Sequence, residues 1–414
     1  MTRVCLVTTG HLSTNPRLAK EADALEGAGY AVRVVACRFW AWAEAADAAF
    51  NERRWPVRTI AFGDLAHGVA GSWIRVRHRL ARELSLQIGP TRVPGVALRR
   101  AAHYVTPELS QAAAAQPADL YIAHNLGALP AAAAAAQQYG TRLQFDAEDF
   151  HRGELQPNDP GRPLIEALEA RYIPRCDAVT AASPGIARAY ADALGIPLPT
   201  TILNVFPRSD LEVAVDPLEL AAEVPPGARS LHWFSQTIGP HRGLEDAVAA
   251  LPLLPNDMVL SLRGGWAPGY ERDLRALADR LGVEPRLQVL GHCPPDQVVR
   301  RAAEHDVGLA LEVGRTENRD VCVTNKAFTY LLAGLPVVAT STTGQRDVCR
   351  ALPQATRLYD AGDPEGLARV LDDLLKDDGA RAAAEQAGRG RYTWDHEQDT
   401  FLSVVERVLE GRAR

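Results

Sequence analysis

Several features that would settle a function at once are missing from this chain of 414 residues. It has no Cys-x-x-Cys and no paired Cys/His spacing: Cys5, Cys37, Cys176, Cys293, Cys322 and Cys349 are scattered. That disfavours a structural zinc site and fits reduced, packing cysteines in a cytoplasmic protein. No apolar run approaches the span of a bilayer, and the N-terminus enters a strand directly, without a signal-peptide pattern. A basic excess is absent as well. The net charge of −6 gives no reason to expect nucleic acid as a bulk partner. No repeat of solenoid period occurs. No Gly-x-Gly-x-x-Gly follows the first strand, which disfavours a dehydrogenase.

What is present is a globular composition, 47% hydrophobic and 23% charged, of a length that suits two domains. Strands are predicted at 4–7 and 32–35, around a helix that Asn15 and Pro16 start and Gly27 and Gly29 end. Leu18, Ala22 and Leu25 line one face of it. This β-α-β unit with a right-handed crossover seeds a parallel sheet. Further strands are expected at 120–123, 142–145, 178–181 and 201–203, with alanine-rich helices at 109–115 and 128–138. Between 205 and 230, Pro207, Pro217, Pro225, Pro226 and several acids suit a linker. A second series then places strands at 230–234, 258–262, 286–290, 306–311, 336–340 and 356–359. The tail from about 393 to 412 reads as an amphipathic helix with Phe401, Val404, Val405 and Val408 on one face. Regular alternation of apolar strands and helices predicts an α/β protein with doubly wound sheets.

The segment 324–340 carries the clearest local chemistry. Asn325 is expected to cap a short helix, Gly334 to end it, and Pro336 to open an apolar strand. A helix N-terminus facing along a parallel sheet suits an anion, and Lys326 adds a charge beside it. Arg242 sits between Gly239 and Gly243, where a planar guanidinium in a glycine turn suits a phosphate. Arg263 and Gly264 end the next strand on the same edge, so two glycine-bearing loops and Lys326 converge. In the first half, Gly10 and His11 follow the first strand, where open sheets bind ligands. His124 and Asn125 end another; a histidine there can donate to phosphate or a sugar hydroxyl, or shuttle a proton. Asp146, Glu148 and Asp149 cluster after the strand at 142–145. They could ligate a cation, bind acceptor hydroxyls or cap a turn. Metal binding is disfavoured because no second acidic or histidine group is placed to complete a site.

The stretch 73–103 differs. Arg75, Arg77, Arg79, Arg82, Arg92, Arg99 and Arg100 are opposed by Glu83 alone, and Trp73, Val76, Leu80 and Leu84 recur at near-helical spacing. Such a helix can dock on an anionic membrane or hold an anionic acceptor. The plain alternative is a solvated helix with one buried face.

Together these residues resemble glycosyltransferases of the GT-B fold, in particular the large retaining family 4-like group. The resemblance covers nearly the whole length. It is carried by Asn15-Pro16-Arg17 with Lys20-Glu21-Ala22, His124-Asn125 with Leu129-Pro130, and Cys176-Asp177-Ala178-Val179 through Ala182-Ser183. Arg242-Gly243-Leu244, Leu290-Gly291 and Asn325-Lys326 with Ala333-Gly334-Leu335-Pro336 continue it. The resemblance implies two Rossmann-like doubly wound domains facing a cleft: an acceptor-side domain over 1–205, a nucleotide-sugar domain over 206–390, and a C-terminal helix, 391–414, crossing back. It implies a nucleoside-diphosphate sugar donor, a glycan or small-molecule acceptor, and no essential metal, since basic side chains and a helix N-terminus stabilise the leaving diphosphate. His124, Arg242 and Lys326 would be catalytic. Gly10, His11, Gly239, Gly243, Arg263, Gly264, Asn325, Thr329 and Gly344 would join Arg242 and Lys326 around the donor. Asn15, Arg17, Asn125, Asp146, Glu148 and Asp149 would lie on the acceptor side.

Four departures are visible. Val321 and Thr329 stand where relatives often carry two glutamates, and Gln236-Thr237 where they carry Gly-Arg. Arg242 replaces a lysine, and Asp146-Ala147-Glu148-Asp149 replaces Asp-Ala-His-Glu. Ribose recognition, donor identity and the retaining outcome therefore stay open, with Glu312, Glu317 and Asp320 as acids near enough in sequence to substitute. A GT-B sugar-nucleotide epimerase and a non-catalytic glycan- or nucleotide-binding relative are the alternative readings. A cytoplasmic location is expected, with peripheral contact to the inner face of a membrane through 73–103.

Overall fold

A computed structural model describes residues 1–66 and 68–411. The end of the predicted tail helix, at Arg412, and Ala413 and Arg414 beyond it lie outside the described residues. The chain divides into two compact units. One comprises 1–202, 316–318 and the chain from 398 onward; the other comprises 203–315 and 319–397.

The first unit is built on a seven-stranded parallel sheet: β1 (Arg3–Thr8), β2 (Ala31–Arg38), β3 (Val57–Ala61), β4 (Leu120–His124), β5 (Arg142–Ala147), β6 (Ala178–Ala181) and β7 (Thr200–Thr201). Their order is β3-β2-β1-β4-β5-β6-β7. The chain winds outward from β1 in one direction, then returns to β4 and winds in the other. The crevice between β1 and β4, beyond their C-terminal ends, is the switch point at which such sheets take ligands. Strand β3 is absent from the sequence-based expectation because it is an edge strand whose Arg58 and Thr59 are exposed. The helix Pro16–Gly27 starts as expected, with the Asn15 side chain accepting from Leu18 N. The other two helices are shifted from the prediction, to Thr106–Ala113 and Leu129–Tyr139.

The basic stretch forms two helices, Gly68–Ile88 and Gly95–Ala102, broken where Gly89 and Pro94 interrupt the pattern. The plain reading of a buried apolar face does not hold here. Trp73 and Leu80 are each 60% exposed, and Val76, Leu84 and Ile88 are exposed with them.

The second unit has six parallel strands: β8 (Arg229–Ile238), β9 (Met258–Trp266), β10 (Leu287–Gly291), β11 (Val307–Ala310), β12 (Val337–Thr340) and β13 (Thr356–Tyr359). The order β10-β9-β8-β11-β12-β13 puts a second switch point between β8 and β11. One face of this sheet buries Leu231, Trp233, Leu260 and Leu262 against Val248, Leu251, Leu274, Leu367 and Leu371. In the helix Trp394–Leu409, Phe401, Val404, Val405 and Val408 are all buried, as their spacing predicts. Among the described residues, no helix is long and apolar enough to cross a membrane.

Candidate functional site

The switch point of the second unit gathers most of the predicted donor residues. After β8 the chain turns through Gly239–Gly243 into the helix Leu244–Ala250. His241 and Gly243 both take left-handed backbone angles, φ 62° and 69°. A Cβ at Gly243 would stand 2.7 Å from Leu311 Cβ, so only glycine lets this turn press on the end of β11. Gly264 is demanded more sharply: its φ is 141°, and a Cβ would lie 2.2 Å from the Ser235 carbonyl oxygen. The register of β8 on β9 slips at this point, between Phe234 and Thr237.

The chemistry centres on a carboxylate that spacing alone could not select. Glu312 follows β11, is 3% exposed, and accepts from Lys326 Nζ at 2.7 Å. Arg319 approaches its other oxygen at 3.5 Å. Burial alone would raise the Glu312 pKa. The Lys326 ammonium, then Arg319 and Arg242, outweigh it and hold the carboxyl down at about 2. Lys326 also lies over the Trp233 ring, 5.3 Å from its centroid. Lys326 and Arg242 are thus brought into one electrostatic neighbourhood, and Glu312 is its anion.

Some predicted roles change. Thr324, not Asn325, caps the helix Asn325–Leu332; Asn325 is its exposed first residue. Thr329 is fully buried and its hydroxyl donates to Asn325 O at 2.9 Å, so it turns into its own helix rather than outward. Arg263 is likewise buried, paired with Glu223. The acid comes from the Pro-rich stretch read as a linker, and it commits the guanidinium away from the strand edge. Gly344 opens the helix Thr343–Ala351, where a Cβ would meet Cys322 O at 2.2 Å. Of the acids named as substitutes, Asp320 accepts from Thr343 N and Oγ1, and Glu317 pairs with Arg162.

In the first unit the switch point holds a buried ionic cluster. His124 ends β4 opposite Asp146 of β5 and Thr8 of β1. Arg17, on the first helix, grips Asp146 with two hydrogen bonds of 2.6 and 2.8 Å and donates to Ile202 O at 2.7 Å. Thr180 Oγ1 adds a bond to Asp146 at 2.6 Å. Glu21, one helical turn beyond Arg17, stands 3.2 Å from His124 Nε2. Glu148 Oε1 receives Asn15 Nδ2 at 2.7 Å and lies 3.0 Å from His124 Nδ1. Burial opposes a charged imidazole, but Glu21, Glu148 and Asp146 overcome it and push the His124 pKa up to about 10. Asp146 is held down at about 2, with Arg17 outweighing burial. Glu21 is raised, by burial first and then by Asp146.

The expectation that no second group stands near the acids is corrected. Glu21, His124 and Asp146 each place a ligand atom within 4.8 Å of the others. The Arg17 guanidinium already supplies a cation to Asp146 there. Within the cluster only Glu148 has substantial exposure, with a quarter of its side chain accessible.

The neighbouring residues are held by hydrogen bonds within the first unit. His11 Nε2 accepts from the backbone N–H of both Phe39 and Trp40 and its Nδ1 faces Asp47 at 2.6 Å, so both ring nitrogens are engaged within the first unit. Asn125 takes φ 63° and accepts from Thr9 Oγ1. Gly10 N donates to Thr8 Oγ1, and Asp149 accepts from Asn318. Glu21 carries no predicted role, although its i, i+4 spacing from Arg17 on an apolar helix face was the available signal.

Two parallel sheets, each with charged groups at its switch point, define a two-unit α/β protein suited to phosphorylated ligands. Comparison with known proteins names the family. The chain belongs to the glycosyltransferases of group 1: the "Glycosyl transferase 4-like domain" model matches residues 14–204 and the "Glycosyl transferases group 1" model residues 230–377. A D-inositol 3-phosphate glycosyltransferase of Xylanimonas cellulosilytica is 34% identical over 176 residues, 41% of this chain and 40% of the relative. A lipopolysaccharide core biosynthesis glycosyltransferase of Rhizobium meliloti is 28% identical over 263 residues, 61% of this chain and 72% of the relative. The chain thus spans about two fifths of the length of the first of these relatives and about seven tenths of the second. Among solved structures, Anabaena HepE in complex with UDP matches with TM-score 0.68 at 18% identity, over 98% of this chain and 100% of that one. Sucrose-phosphate synthase from Thermosynechococcus elongatus matches with TM-score 0.70 at 14% identity, over 99% and 100%. The fold is GT-B.

Proposed function

We propose that the protein moves a sugar from a nucleoside-diphosphate sugar to the hydroxyl of a glycan, a lipid-linked saccharide or a small metabolite. The observation that carries this reading is the gathering of Lys326, Arg319 and Arg242 around buried Glu312 at the switch point of the second unit. As the bond from the sugar's anomeric carbon to the diphosphate breaks, negative charge grows on the departing oxygens. Lys326 and Arg242 are held in place beforehand to meet it, so no reorganisation is needed during the step. This scheme asks for no metal. Glu148, the accessible member of the first cluster, is held by Asn15 and His124 and suits an acceptor hydroxyl. His124 then acts as a positioning residue behind it. The glycosyltransferase relatives support the reaction class, and the neighbour solved with UDP and glucose makes UDP the first donor base to test. Retention is the outcome that the family resemblance favours.

The exposed stripe of Trp73, Val76, Leu80, Leu84 and Ile88, flanked by arginines, supports a peripheral seat on the anionic cytoplasmic face of a membrane.

The test is calorimetric titration with UDP, GDP and ADP, with and without magnesium, followed by transfer assays of Lys326→Ala and Arg242→Ala. Binding of one nucleotide without magnesium is expected, and each variant should lose about a hundredfold or more in kcat. Full transfer rates in both variants, or no nucleotide binding, would overturn the assignment.

A further inference from the structure

A second charged feature lies away from both switch points. The helices Gly95–Ala102, Leu129–Tyr139 and Arg162–Tyr172 pack around a groove of about 720 Å³ in the first unit. Its walls carry Arg99, Arg171 and Arg175, and Ala133, Ala134 and Ala136 contribute apolar surface. Gly140, Thr141 and Leu143, at the start of β5, close one end of it. The groove therefore opens at the opposite edge of the sheet from His124 and Asp146, and it is not the transfer site.

The arginines are gathered rather than dispersed. Arg171 lies so close to Gly95 that a Cβ there would stand 2.2 Å from its Nη2. Burial raises the pKa of the Tyr172 hydroxyl, and Arg171, Arg99 and Arg175 lower it against that burial. The acid in the wall, Asp177, is already committed to Arg142 at 2.8 Å and to Leu143 N at 2.9 Å. Among the described residues, none of the three arginines pairs with a carboxylate. Three arginines on one groove, none of them paired with a carboxylate among the described residues, leave it short of an anion.

The adjoining surface says where that anion comes from. Val96, on the groove wall, is 51% exposed. Its helix packs on Gly68–Ile88, whose apolar stripe faces outward between Arg75, Arg79 and Arg82. A stripe from residue 73 to 88 runs about 22 Å along the helix, enough to lie flat in a headgroup layer. We propose that the groove binds the phosphomonoester headgroup of an anionic lipid, with Arg99, Arg171 and Arg175 around the phosphate. This rests on the membrane seat proposed above and adds to it a pocket that prefers a phosphomonoester to a phosphodiester.

The experiment is vesicle flotation with phosphatidylcholine alone, or doped with either phosphatidic acid or phosphatidylglycerol. It is run on the full chain, on Arg171→Gln/Arg175→Gln, and on Leu80→Glu/Leu84→Glu. All four positions are solvent-exposed, so folding is expected to survive. The native chain should favour phosphatidic acid over phosphatidylglycerol. The arginine variant should lose that preference, with binding to phosphatidic acid vesicles down about twenty- to thirtyfold at roughly fivefold per arginine. The stripe variant should bind every vesicle weakly yet keep any affinity for soluble glycerol 3-phosphate. Equal binding of the two anionic lipids by the native chain would overturn the groove while leaving the membrane seat intact. Binding of glycerol 3-phosphate that the arginine variant abolishes, with no vesicle binding by the native chain, would overturn the lipid source.

Discussion

Replacing Glu312 by glutamine removes one charge and keeps the side chain's shape. The carboxylate is 3% exposed and 2.7 Å from Lys326 Nζ, and its pKa falls from an ordinary 4.5 to about 2. At about 1.4 kcal/mol per pH unit, that drop ties about 3 kcal/mol of stability to the ionised form. The pKa is depressed in the folded protein, so this stability is present above pH 4.5 and is lost as pH falls towards 2. Glu312→Gln should therefore destabilise the second unit by about 3 kcal/mol at pH 7, in line with the cost of about 3–5 kcal/mol for breaking a buried ion pair. The difference should shrink steadily below pH 4.5. Lys326 is itself only 6% exposed, so the uncompensated ammonium is the source of the loss. The double variant Glu312→Leu/Lys326→Met should recover most of it, since both charges are gone.

The assay is urea unfolding from pH 3 to pH 7, read by amide exchange in the helix Asn325–Leu332. Local exchange is needed because two units need not unfold together. A loss under about 1 kcal/mol at pH 7 would refute the argument, as would a loss that persists undiminished at pH 3.

Asp146→Asn should cost about 3–5 kcal/mol in a thermal or urea melt, because it strands the guanidinium of Arg17, which is 1% exposed; a near-neutral result would deny the pair its structural role. The raised pKa of His124 gives the opposite pH dependence. Its stabilisation is complete below pH 6.5 and is lost as pH rises through about 10, so the first unit should weaken across that range, and His124→Phe should flatten the profile. Gly264→Ala should destabilise strongly, since its Cβ would stand 2.2 Å from a carbonyl oxygen. Gly269→Ala, with φ 80° but nothing within 4 Å, should cost only about 1–2 kcal/mol; equal costs in parallel melts would show that the close approach is unimportant.

How far the sequence reached depends on which forces are local. Strands such as β12, an unbroken Val-Val-Ala run, announce themselves because both faces are buried. Strand β5 was cut short at Phe145 because Asp146 ends the apolar run, yet Asp146 still pairs with Thr180 across the sheet. The glycine turns and Lys326 were readable because anion sites in such sheets follow strand ends. The fates of Arg263 and His11 were not. Each is fixed by a partner far along the chain, Glu223 and Asp47, that no spacing links to it. Exposure was equally invisible: the period of Trp73, Leu80 and Leu84 fixes a stripe but not whether it faces core or solvent.

Glu21 offers the sharpest separation of stability from function in the first cluster. Both its carboxylate oxygens are buried without an aligned hydrogen bond among the described residues, although Arg17 and His124 stand at ion-pair distance. Burial, and Asp146 beside it, raise the Glu21 pKa against the pull of His124 and Arg17, so its ionised form works against folding and a neutral amide of the same shape relieves that cost. Its effect on His124 is large, however: Glu21 is the foremost carboxylate holding the imidazole protonated. Glu21→Gln should therefore leave stability within about 1 kcal/mol of the native chain, or raise it, while lowering the pKa of His124. With His124 less protonated, Glu148 loses a charged donor at Oε1, so the pH profile of transfer should move to lower pH. NMR titration of the His124 ring and the pH dependence of kcat/KM read the two effects separately. If the variant unfolds easily and the histidine titrates as before, Glu21 is part of the packing and the link through His124 to Glu148 is wrong.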